Sequence, residues 1–113
     1  MFDTILLGLS DAVNQEEIHR FVESIKKEQS VHIEQITDAA LLSKYDGNQT
    51  ILITDMTEFF VKSYALEIPG VVYLHRQNRK MAFSNMTYAI TSLEDLPLEY
   101  LQRVYQRFFH IPW

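Results

Sequence analysis

The chain has no cysteine and only three glycines and three prolines among 113 residues. Without thiols, neither a disulfide framework nor a Cys-based zinc site can be built, and the composition fits a reducing compartment, so the expected location is the cytoplasm. Gly8, Gly47 and Gly70 lie far apart, so neither a G-x-G-x-x-G turn nor a phosphate-cradling P-loop can be assembled from them. No run approaches the roughly 18 consecutive apolar residues of a membrane span. The short apolar stretch Ile5 to Leu9 follows no Lys or Arg, unlike a secretory signal, so no membrane association is expected. Basic residues are also in short supply. A net charge of -5 argues against nucleic-acid binding, which relies on a basic face to neutralise phosphates. The local exception is His75, Arg76, Arg79 and Lys80, a small patch that suits an anion or simply a solvated loop.

What is present is a globular composition, 47% hydrophobic and 22% charged, which excludes a disordered segment. One domain over 1–113 is expected, either alone or as the N-terminal part of a longer protein. Thr4 to Leu9 and Thr50 to Thr54 are short, almost unbroken apolar runs, the pattern of strands buried on both faces. Val31 to Ile36 alternates as a half-exposed edge strand does, and Val71 to Leu74 and Tyr88 to Ile90 supply two more strands. Between them lie helices. Asn14 caps one that carries Ile18, Phe21, Val22 and Ile25, and Asp38 caps a short one through Leu42. Asp55 or Thr57 is placed to cap a third, with Phe59, Phe60, Tyr64 and Leu66, and Pro97 opens a last one along Leu98, Leu101, Val104, Tyr105 and Phe108. This alternation predicts a three-layer α/β fold with a mainly parallel five-stranded sheet, Rossmann- or flavodoxin-like, in the order 2-1-3-4-5.

In such sheets ligands bind beyond the carboxyl ends of the strands, where the strand order reverses. The residues delivered there are Ser10 and Asp11, Thr54 and Asp55, and His75 and Arg76. Asp11 and Asp55 could hold a hydrated Mg²⁺, which takes a few carboxylate oxygens and keeps its waters. The same residue types are also ordinary helix caps. No serine lies in a G-x-S-x-G elbow and no two histidines have H-x-x-x-H spacing, so no catalytic residue is assigned. The aromatic tail from Phe109 to Trp113 either folds back on the domain or meets a partner.

The segments Ile51-Leu52-Ile53-Thr54-Asp55, Ile68-Pro69-Gly70-Val71-Val72-Tyr73 and Tyr88 to Leu96 resemble the last third of haloacid dehalogenase-like hydrolases. That family carries an Asp-x-Asp pair after its first strand, whereas this chain has Leu7-Gly8-Leu9-Ser10-Asp11. Asp55 matches a family metal-binding carboxylate, but its acidic companion is replaced by Met56-Thr57-Glu58 and no lysine matches the phosphate-stabilising one. The resemblance therefore implies a degenerate, non-catalytic version. The run from Tyr100 to Trp113 looks like the end of the small α/β region that precedes GNAT-type acetyltransferase domains in some Firmicute proteins, which implies such a domain as a partner. The expected function is a non-catalytic module that binds a small ligand or a protein partner and needs no cofactor. The alternative is a small Mg²⁺-dependent phosphohydrolase using Asp11 and Asp55, and a third possibility is a homodimer or docking role for the last helix, Phe109 and Trp113.

Overall fold

The computed structural model describes residues 2–28, 31–78, 88–94 and 96–109. Its elements run β1 (Thr4–Gly8), α1 (Gln15–Glu28), β2 (His32–Gln35), β3 (Thr50–Thr54), α2 (Thr57–Ala65), β4 (Gly70–Tyr73), β5 (Tyr88–Ile90) and α3 (Leu98–Phe109). Two short 3-10 helices, Ala39–Lys44 and Gly47–Gln49, fill the crossover from β2 to β3. All strand pairs are parallel and the order is 2-1-3-4-5, as the alternation predicts.

β1 and β3 pair side by side in the interior of the sheet and bury apolar side chains toward both faces. Ile5 and Leu7 of β1, with Ile51 and Ile53 of β3, face one layer, where Ile18, Phe21 and Ile25 of α1 meet Leu98, Leu101 and Val104 of α3. Leu6 and Leu52 face the other layer, against Leu42 of the first 3-10 helix, Phe59 of α2 and Ile68. Each such fully buried aliphatic side chain contributes about 1.5–3 kcal/mol. Gly8 ends β1 where the ring of Phe59 crosses it, and a Cβ there would lie 2.6 Å from that ring.

The helix boundaries follow their caps. The Asn14 side chain accepts from the Glu16 N–H at 2.8 Å and opens α1, while Glu16 and Glu17 in the first turn and Lys26 and Lys27 in the last complement the helix dipole. Asp38 and Asp46 cap the two 3-10 helices in the same way, accepting from Ala40 N–H and Asn48 N–H at 2.9 Å each. The helix expected through Leu42 is therefore a tighter 3-10 one. At α2 the N-cap position falls on Met56, which makes no side-chain cap, and the expected Asp55 cap is not formed. The Asp55 carboxylate is drawn instead to partners across the sheet.

α2 closes on Leu66, with the Glu67 N–H bonded to Tyr64 O and the Ile68 N–H to Ser63 O. This is the bond pair of a Schellman end, whose left-handed position usually holds glycine. Here Glu67 holds it, at φ 59°. Its carbonyl lies so near Gly47 that a Cβ on Gly47 would come within 2.3 Å of it.

Candidate functional site

Beyond the carboxyl ends of β1, β3 and β4, Ser10, Thr54, Asp55 and His75 converge, four of the six residues expected there. Thr54 Oγ donates to Gly8 O at 2.6 Å and accepts from the Met56 N–H at 3.0 Å, which ties β3 to β1 and shapes the entry to α2. Asp55 follows directly and turns its carboxylate under the loop after β1. One oxygen accepts from the Ser10 backbone N–H at 2.8 Å. The other accepts from Ser10 Oγ and lies 2.7 Å from His75 Nε2. With only 1% of its side chain exposed, Asp55 meets its partners inside the protein.

His75 is oriented by its own turn. Its Nδ1 accepts the Gln77 N–H at 3.1 Å, so Nε2 carries the proton and donates to Asp55. Asn78 fastens this turn: its side-chain oxygen accepts from the His75 N–H at 2.7 Å, and its amide donates to Asp55 O at 2.8 Å and Tyr73 O at 2.7 Å. Asn78 is buried. Sequence reasoning missed it, although an asparagine in the loop that follows a strand is a signal for a side-chain-closed turn.

The chemistry open to this group is narrow. Asp55 lies between Ser10 and His75, so the hydroxyl faces a carboxylate and not an imidazole, and the serine–histidine contact of a nucleophilic relay is not made. Asp11 is exposed and takes no part in the network, and Arg76 is exposed as well. Among the described residues no three His, Asp or Glu side chains are grouped to hold a metal. A divalent cation at Asp55 would compete with the three donors that already reach its oxygens, on a side chain only 1% exposed and with no second carboxylate beside it in the network.

A second acidic group lies close by. Glu17 of α1 accepts from the Tyr73 hydroxyl at 3.0 and 2.9 Å and from the Leu93 N–H, joining α1, β4 and the turn after β5. Burial first, and then the Glu17 carboxylate, push the Tyr73 hydroxyl up to about 12. Among the described residues, no buried side-chain polar atom is left without a partner.

The other end of the sheet is unlike this one. Where β4 and β5 begin, at Gly70 and Tyr88, α2 and α3 stand apart around a groove of about 400 Å³. Phe60, Tyr64 and Glu67 form one wall and Val104, Arg107 and Phe108 the other, with Phe109 at its end. The rings of Tyr64 and Phe108 meet edge-on at 6.2 Å. Tyr64 and Val61 stay 51% and 59% exposed, large values for apolar side chains on neighbouring turns. Phe109 lines this groove, while Trp113 lies outside the described residues, as do Arg79 and Lys80 of the basic patch.

No protein-family model, no curated protein and no solved structure matches the chain. None of its helices among the described residues is long and apolar enough to cross a membrane.

Proposed function

We propose that this chain is a non-catalytic α/β module of the cytoplasm that acts by binding a protein partner at the groove between α2 and α3. The observation that carries the reading is the state of Asp55, the crevice carboxylate, whose two oxygens are spent on Ser10 and His75 with 1% of the side chain exposed. A nucleophile or metal ligand needs lone pairs that point at a substrate, and here they point at the protein. Among the described residues the large apolar side chains left open are Val61, Tyr64 and Leu66 of α2 and its end, with Tyr64 in the wall of the groove, away from the crevice. The degenerate form of a haloacid dehalogenase-like hydrolase, without the Asp-x-Asp pair, agrees with this reading.

The rival is Mg²⁺-dependent phosphate-ester hydrolysis at Asp11 and Asp55. A panel of phosphate monoesters incubated with the chain and Mg²⁺ or Mn²⁺ separates the two. No turnover above buffer is expected; turnover that disappears in Asp55→Asn or Asp11→Asn would overturn the proposal.

A further inference from the structure

The partner of the α2–α3 groove is, we infer, a second copy of this chain, docked about a two-fold axis that sets Glu67 of each copy against Arg107 of the other. The inference rests on the partner-binding reading and supplies the identity of the partner.

The first observation is the charge pattern. Glu67 and Arg107 stand on opposite walls of one apolar groove, both exposed, and neither forms an ion pair among the described residues. The chain as a whole is acidic, which steers it toward basic partners, yet this groove holds one charge of each sign. A surface with one charge of each sign across an apolar strip is complementary to itself when turned by 180°, the condition for an isologous dimer. The half-exposed ring of Tyr64 in its wall, with Phe108 facing it, would provide the apolar contact, with the charge pair setting the register.

The second observation is independent of charge. Glu67 occupies the left-handed position that ends α2, where glycine is the unstrained residue. Its backbone alone gives no reason for a glutamate. A strained position held by a charged side chain with no ion pair among the described residues indicates that the side chain has a use outside the subunit.

Sedimentation velocity and light scattering over a range of concentrations test the inference. The wild-type chain is expected to dimerise reversibly. Glu67→Arg and Arg107→Glu, each of which places like charges across the axis twice, should raise the dimer Kd tenfold or more, and the double exchange should return it to within about threefold of wild type. Glu67→Gly gives a second, opposed signature: Tm of the dilute monomer rises while the dimer weakens. Circular dichroism confirms that each variant is folded. A wild-type chain that stays monomeric up to millimolar concentration overturns the inference, as do reversals that leave Kd unchanged or a double exchange no better than the single ones. None of these results alters the phosphate-ester assay, so loss of the dimer and loss of the non-catalytic reading are recognised separately.

Discussion

At the carboxyl ends of β1, β3 and β4, the Asp55 carboxylate accepts three donors, the Asn78 side chain makes three hydrogen bonds, and Glu17 holds Tyr73 and Leu93 together. At the amino ends of β4 and β5, Glu67 and Arg107 flank an apolar groove and contact no opposite charge among the described residues. The first region turns its polar groups inward, which rigidifies the fold and leaves little to offer a ligand. The second leaves charge and hydrocarbon facing outward. In many parallel α/β proteins the carboxyl ends of the strands are the working end. Here the polar groups that would do that work are used to join the strands.

Three substitutions sharpen this contrast, and urea unfolding at low protein concentration reads them all. Asp55→Ala has the largest expected effect, a loss of about 2–4 kcal/mol, because the partly buried Ser10 and His75 donors would be left without their acceptor. If the loss stayed below 1 kcal/mol, the inward-facing network would not be holding the strands together.

Tyr73→Phe comes next, with a loss of about 1 kcal/mol near neutral pH from the hydroxyl bonded to Glu17. Its pH dependence has a definite sign. The ordinary tyrosine value is 10.0 and Tyr73 is pushed up to about 12, so the folded protein retains a proton that the unfolded chain loses. The stabilisation is fully present below pH 10 and is lost as pH rises through that window to 12. Absorbance of ionised tyrosine at alkaline pH should lose one late-titrating component in Tyr73→Phe and keep another from Tyr45, whose hydrogen bond to Glu34 also pushes it up to about 12.

Val61→Ser should have the smallest effect, within about 0.5 kcal/mol for the monomer, since the side chain is 59% exposed. A large loss there would mean that the α2 surface belongs to the monomer core and not to an interface.

Much of the fold was legible from hydrophobic patterning. Ile5 to Leu7 and Ile51 to Ile53 bury both faces, which places β1 and β3 side by side at the centre and sets the strand order. Strand limits shifted by a residue, as at β4, where Gly70 already pairs with Leu52 and Leu74 has left the ladder. The crevice was legible as a location, but its internal wiring was not. Which donor reaches Asp55 depends on how the loops after β1 and β4 fold over β3, and no periodicity encodes that. The same limit explains the failed cap at α2: residue type offered Asp55 as a local partner for the helix N–H groups, and partners 20 and 45 residues away took it instead. Asn78 was hidden for a related reason, because its three bonds close a turn whose shape only the folded loop defines. The groove could not have been read at all, since its walls, α2 and α3, belong to opposite layers.

The tie from Thr54 to Gly8 spans 46 residues and joins the first strand of the chain to the third. During synthesis, β1 must therefore wait until nearly half the polypeptide has left the ribosome before its principal neighbour exists. Non-local pairing of this kind slows folding, and the apolar run Ile5 to Leu7 stays uncovered in the meantime. A nascent chain stalled before residue 50 should be a chaperone client, and full protection from proteases should arise only after β3 has emerged.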